Sequence, residues 1–407
     1  MTRCKEMFIL FFIGSIMVIV LSGCWSSQEL NEMSIVSSLG LDKQEDKYRV
    51  TVQVINPGEI AEKEGGEEAR TSITTYQGVG STLFEAVRRL TTKVPKKIYA
   101  AHLRTVVIGE ELAKKDGINK VLEFLIRDHE FRTDFYFLIA KNTTAKSILD
   151  ILTPMEKIPA QKMFFSLETS HEHFSSTVTV TIDQLITDLV TKKKNPVITG
   201  VQISGDPEAG TSKTNAESIP ALTQFEFSEV AAFKKDKLIG WLNERESQGY
   251  NFIMDDIVNP TIDTSCPNAE KEKIALELTR SSTELKGNVH NNQPRIEINV
   301  QAEGNLGEVM CGIDVKKENM LNQIEKLAEE KIKSLMQSSI QTAQNDFRSD
   351  IFGFGEVIHR EDPKAWKLLQ KNWEQEFSDL PVDVKVTFNI RKTGTVGNPF
   401  LKNLEEE

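Results

Sequence analysis

The sequence predicts a mixed α/β protein of the α+β class in three domains, the last an antiparallel sheet covered by long helices. Two observations carry this. Residues 25–198 switch repeatedly between period-two apolar runs and runs with apolar residues three and four apart, and residues 266–400 place period-two runs at both ends of a long helical stretch. A third bounds it: the 384 residues beyond position 23 exceed what one average core accommodates. The division is 1–23, a signal peptide; 24–198, an N-terminal mixed α/β domain; 199–265, a small middle α+β domain; 266–400, a C-terminal α+β domain; and 401–407, an acidic tail.

In order along the chain, "MTRCKE" supplies Arg3 and Lys5 before an apolar run from Met7 to Leu21. Those 15 residues would span only about 22 Å as a helix, short of the roughly 30 Å of bilayer hydrocarbon. A cleaved signal peptide fits better. The run ends in "LSGC", which resembles the lipobox of bacterial lipoproteins, with small Ser22 and Gly23 before Cys24. The resemblance implies that Cys24 becomes the mature N-terminus and takes a covalent diacylglycerol, with an N-linked acyl chain as a further option. Two chains hold a protein to a bilayer where one is marginal. An uncleaved anchor with an incidental cysteine is the competing reading.

"MSIVSSLGLD" and "KYRVTVQVIN" read as two strands around "KQED", and the acidic insert "PGEIAEKEGGEEAR" as a loop. A strand "TSITTYQG" precedes a helix "STLFEAVRRLTTKV" with Leu83, Phe84, Val87 and Leu90 on one face. "HLRTVVIG" and the buried "DFYFLIA" are strands around a helix "GINKVLEFLIRDHEF". "TAKSILDIL" is a helix capped by Thr143 or Thr144, and "TIDQLITDLVTKKKN" one that stops at Pro196. "VAAFKKDKLIGWLN" reads as a hairpin turning at Lys234 to Lys237, followed by a short helix "ERESQGYNFIMDDI". In the last domain "KIALELTRSS", "PRIEINVQAEGNL" and "VDVKVTFNIR" alternate as strands, and Leu321, Ile324, Leu327, Ala328, Leu335 and Met336 mark a long helix.

The formal charge of −11 argues against a nucleic-acid binder, which needs a basic face. No G-x-S-x-G, H-E-x-x-H, Walker or G-x-G-x-x-G pattern occurs, and acidic pairs are too common to select an acid and a base. His171 and His173 of "HEH" lack a third metal ligand and read as a solvated polar segment. "FGFGE" reads as a packed turn between helices, and Trp366, Trp373 and Phe377 as one helical face against the sheet. Cys266 and Cys311 form a disulfide or remain free thiols; the sequence leaves both open. The chain is therefore read as a non-enzyme without catalytic or metal residues, and its ligand-binding residues stay unknown.

Five stretches in order, "GCWSSQELNEMSIVSSLGLDK", "QVINP", "AHLRTVVIGEELAKKDGINKVLEFLIRDHEFRTDFYFLIAK", "KLIGWLNERESQGYNFIM" and "DIFGFGEVIHREDPKAWKLLQKNWEQEFSDLPVDVKVTFNIRKTG", resemble the GerC-type lipoproteins, the C subunits of bacterial spore germination receptors. The resemblance runs from Cys24 to about Gly394. It implies three domains of mixed α and β structure, a lipid anchor at Cys24 on the outer face of the spore inner membrane, and two partners: a multi-pass subunit and a smaller transporter-like integral membrane subunit. It implies a role in assembling or signalling within a nutrient receptor, and no catalytic motif. Ser26 and Ser27 depart mildly from the acid and basic residues that often follow Cys-Trp in the family. The rival function is an extracytoplasmic solute-binding lipoprotein of a transporter, which expects two similar lobes around a cleft.

Overall fold

The computed structural model describes residues 32–61, 70–128, 130–191, 194–267, 269–291 and 293–393, with positions 3, 5 and 7 besides. The signal peptide, Cys24 and the acidic tail lie outside the described residues.

Nine strands form the first sheet: β1 (Met33–Gln44), β2 (Lys47–Ile55), β3 (Ile73–Gly80), β4 (Lys97–Tyr99), β5 (Thr105–Gly109), β6 (Tyr136–Ala140), β7 (Val197–Gly205), β8 (Thr223–Lys234) and β9 (Lys237–Leu242). Their order is β3-β2-β1-β5-β6-β7-β8-β9, with β4 beside the start of β1. The inner strands β1, β5, β6 and β7 run parallel, and antiparallel hairpins flank them. Parallel strands need both faces covered, which is why β6 and, after Thr105, β5 are apolar. Val106 and Ile108 point into a core with Leu83, Leu90, Val121 and Leu125 of the helices Leu83–Leu90 and Asn119–Arg127. Val107 and Leu138 point the other way, against Ile148, Met163 and Leu167 of Ala145–Leu149 and Pro159–His173. Thr144 is the cap of Ala145–Leu149, accepting from the Ser147 amide. In the acidic insert Pro57–Ala61 forms a short helix opened by its proline, where a loop was expected; 62–69 lie outside the described residues.

The expected boundary at 198/199 falls inside β7. Val197 and Gly205 pair with Ala232 and Thr223 in one β7–β8 ladder, so residues 199–242 extend the first sheet and form no sheet of their own. The loop-rich composition behind that boundary belongs to an insertion between the two strands, which carries the helices Pro207–Gly210 and Lys213–Glu217.

The second sheet has the order β10 (Thr261–Cys266), β11 (Ala269–His290), β12 (Gln293–Val309), β13 (Val382–Lys392). It is antiparallel over β10 to β12, but β13 runs parallel to β12, because the chain crosses one face as helices before re-entering. The long helix Glu318–Thr342 buries Ile324, Ala328, Ile332, Leu335 and Met336. Its Glu329 and Glu325 also accept the outward amides of Phe388 (3.1 Å) and Ile390 (2.8 Å), blunting part of the β13 edge. Cys266 and Cys311 form a disulfide, with both residues buried and Cα atoms 6.5 Å apart, across 45 positions of sequence. Residues of both sheets share one core cluster.

Candidate functional site

A groove of about 620 Å³ lies between Leu83–Leu90 and Asn119–Arg127. Its floor is Leu83, Phe84 and Phe124, and its rim carries Arg88, Lys120 and Asp128. Beneath it the Tyr48 hydroxyl donates to Asp116 (2.6 Å) and accepts from Lys120 (3.0 Å), while Lys43 pairs with Asp116 at 3.0 Å. Burial works to raise the Asp116 pKa, but the Tyr48 hydroxyl and Lys43 outweigh it and set the carboxyl below its usual value. Phe84 departs from its expected buried face: it is 52% exposed, with the Arg88 guanidinium 4.9 Å over its ring. Leu83, Ala86 and Leu90 are the buried residues of that helix. An apolar floor with a mixed-charge rim accepts apolar surface. Ser81, which also lines it, donates its hydroxyl to the Glu85 carboxylate at 2.6 Å.

A second cavity lies between the helix Ile182–Thr191 and the end of the helix Glu244–Ile253, and Lys194 there reaches the Tyr250 hydroxyl at 3.2 Å and Asp188 at 3.7 Å. His171 corrects the sequence reading. "HEH" closes a helix, and His171 is buried while His173 is exposed, so the pair is neither strand-like nor wholly solvated. His171 Nδ1 lies 2.9 Å from the Thr177 carbonyl and Nε2 lies 3.2 Å from Asp256 Oδ1. Both nitrogens face acceptors, which suits the imidazolium. The Asp256 carboxylate raises the His171 pKa, aided by the Thr177 carbonyl and opposed by burial. The sign follows: this contact stabilises fully below the unfolded pKa of histidine and is lost as pH rises through the raised folded value. Urea unfolding of the full chain should therefore show stability falling as pH rises from 6 to 8, by about 1 kcal/mol. His171→Gln should flatten that slope; an unchanged slope in the variant would remove the assignment.

"FGFGE" is a packed turn, as expected. Asp350 accepts from the amides of Phe352, Gly353, Phe354 and Gly355 (2.8–3.2 Å) and from Trp373 Nε1 (2.9 Å). Gly353 has φ 78°, and a Cβ on Gly355 would lie 2.7 Å from Trp366. The expected single helical face divides: Trp366 lies on the helix Pro363–Leu369 and Trp373 and Phe377 on Trp373–Ser378, and the three pack against one another and, through Phe377, against Phe354. Cys266, Glu272 and Cys311 bring three ligand atoms within 4.8 Å, but both sulfurs are spent in the disulfide. Cys24 lies outside the described residues, so its chemistry rests on sequence alone.

Residues 26–203 match the family described as "Spore germination protein N-terminal domain", and residues 228–394 match "Spore germination B3/ GerAC like, C-terminal". Spore germination protein KC of Bacillus subtilis (strain 168) is 32% identical over 395 residues, covering 96% of this chain and 97% of the relative. The chain belongs to the GerAC-like family of spore germination proteins. Spore germination protein B3 of the same organism is 24% identical to this GerAC-like chain, over 98% of it and 100% of the relative. The crystal structure of the GerBC protein shares its fold, with a TM-score of 0.56 at 21% identity, over 86% of this chain and 96% of that one. The groove and the His171 contact were not readable beforehand. Phe84 and Arg88, four apart, gave a local hint of a stacked surface pair, whereas Asp256 stands 85 positions from His171.

Proposed function

We propose that this chain is the lipid-anchored, non-enzymatic subunit of a nutrient germinant receptor of bacterial spores. It is tethered through Cys24 to the outer face of the spore inner membrane and serves assembly or signalling beside a multi-pass subunit and a transporter-like integral membrane subunit. Membership of the germination family along both halves of the chain carries this reading. The lipobox-like "LSGC" supports the anchor. Among the described residues no helix is long and apolar enough to cross a membrane. A solute-binding lipoprotein would favour two like lobes; here one sheet of nine strands and one of four differ in size and pairing.

An anchor acts by confinement. Domains held at a surface meet their partners at high effective concentration, so weak contacts suffice. Cys24→Ala should release a folded chain from the membrane fraction and slow nutrient-triggered dipicolinic acid release from spores. A normal response with all of the chain in the soluble fraction would end the proposal.

A further inference from the structure

The groove between Leu83–Leu90 and Asn119–Arg127 begins beside the point where the chain enters the fold. Its upper end, lined by Tyr48 and Lys120, is at the turn between β1 and β2: Tyr48 is the register partner of Lys43 in β1 and of Gly80, the last residue of β3. Its lower end is Asp128. Just beyond it Glu130 pairs with Lys97 at 2.9 Å, and Lys97 is the register partner of Met33, the first residue of β1. The lower end of the groove thus adjoins the start of β1. From there the helix climbs about 12 Å, from Asp128 back to Lys120.

Residues 25–31, which lie outside the described residues, lead from Cys24 to that same point. They read "WSSQELN" and are followed by Glu32. The chain from Trp25 to Met33 reaches about 26 Å when extended, enough to lay the indole on Phe124, one helical turn above Asp128. The floor it would meet is apolar, made of Leu83, Phe84 and Phe124, with Phe84 half exposed to solvent. An indole covers such a surface and asks for one acceptor for its N–H, which the rim carboxylates of Glu123 and Asp128 can supply. Charge agrees. The segment carries Glu29 and Glu32 and no basic residue. The groove carries cations to match: Lys43 and Lys120 share the single carboxylate of Asp116, at 3.0 and 3.7 Å, and Arg88 lies over Phe84 without an ion pair among the described residues. A tether this short holds its end near the groove at an effective concentration on the order of millimolar, so a weak contact is filled.

We propose that the groove is the docking site of the chain's own N-terminal segment, with Trp25 seated on Leu83, Phe84 and Phe124. This rests on the reading above that the mature chain begins at Cys24. Its effect is to bring the lipidated residue against the helical face of the first sheet. The anchor then leaves the domain from a fixed place, and the side formed by Leu83–Leu90 and Asn119–Arg127 is the side turned to the bilayer.

The test labels the mature chain, begun at position 24 with Cys24→Ser so that no lipid is present, with fluorotryptophan. Its fluorine resonances are read against a soluble gadolinium chelate, and Trp25→Phe identifies the Trp25 signal. The expected result is a Trp25 signal protected from the chelate in the parent and broadened in Phe84→Ser, a change at a side chain already half exposed. The Trp366 and Trp373 signals should hold their places and report an intact fold. Broadening of Trp25 in the parent as strong as in urea overturns the docking. Protection that neither Phe84→Ser nor Phe124→Ser relieves puts the indole elsewhere on the chain and also overturns it. For the acylated chain on vesicles of brominated phosphatidylcholine, the difference in emission between parent and Trp25→Phe should stay unquenched; quenching places the indole in the bilayer and overturns the docking too. Mass spectra of the membrane-extracted chain that lack a diacylglycerol on Cys24 overturn the anchored reading itself, while the fluorine signals still decide the contact.

Discussion

Asp350→Ala should destabilise the protein by about 4 kcal/mol, measured by urea unfolding, and should separate the unfolding of the two sheets. The carboxylate is 5% exposed and is the single acceptor on which four backbone amides and one indole N–H converge. Burial raises the Asp350 pKa, and those donors oppose the rise and favour the anion. Removing the side chain strands five donors where water does not reach. Asp350→Asn should rescue little, since its amide group would present two further donors to a ring of donors. The residue also sits at a joint: its carbonyl accepts from the Asn195 amide (2.8 Å) before β7, and Ser349 Oγ donates to the Phe233 carbonyl (2.8 Å) in β8. Melting this turn therefore loosens the helices of the second half from the first sheet. Ser349→Ala, which loses one hydrogen bond, should cost only about 1 kcal/mol and serves as the comparison. If Asp350→Ala unfolds within about 1 kcal/mol of the parent, the converging donors do not hold this turn.

That turn shows what a sequence reveals and what it withholds. Two glycines alternating with two phenylalanines in "FGFGE" marked a packed turn, because glycine answers a backbone need and phenylalanine a core need, both local. The acceptor that organises it, Asp350, carried no such mark among so many acids. Strands were legible for the same local reason: β2 and β13 alternate, and β6 and, after Thr105, β5 are apolar runs. Direction was not legible. Side chains alternate identically in parallel and antiparallel ladders, so β13 showed its faces but not its pairing beside β12. The extent of the first sheet was hidden similarly, since the insertion between β7 and β8 imitates a domain boundary while register carries the sheet past it. His171 needed a partner from the segment that follows a distant helix, and burial of a histidine leaves no trace in its neighbours.

Gly249→Ala should lower stability even though alanine is the better helix former. In a helix interior the exchange by itself stabilises by about 1 kcal/mol. Here a Cβ on Gly249 would lie 2.1 Å from the Leu335 carbonyl oxygen and 2.5 Å from its carbon. The obstacle is backbone of Glu318–Thr342, with no flexible side-chain end to swing aside, so the two helices must separate. Overpacking of this kind costs roughly 1–3 kcal/mol and more when the backbone itself must move, so the net change is destabilising. Gly249→Val adds bulk and a χ1 restriction and should be worse. The separation also threatens the bond from Thr342 Oγ1 to Glu246 (2.7 Å). Helix Glu244–Ile253 follows β9 directly, and Glu318–Thr342 carries the face of the second sheet, so this crossing couples the two halves of the molecule. Thermal unfolding of the parent, Gly249→Ala and Gly249→Val decides the matter: successive falls are expected, and a rise for the alanine variant would mean that helix propensity outweighs the crossing. In the receptor reading, a subunit whose halves no longer move together should remain at the membrane through its lipid yet support germination poorly. Spores carrying Gly249→Val should show that separation of anchoring from response.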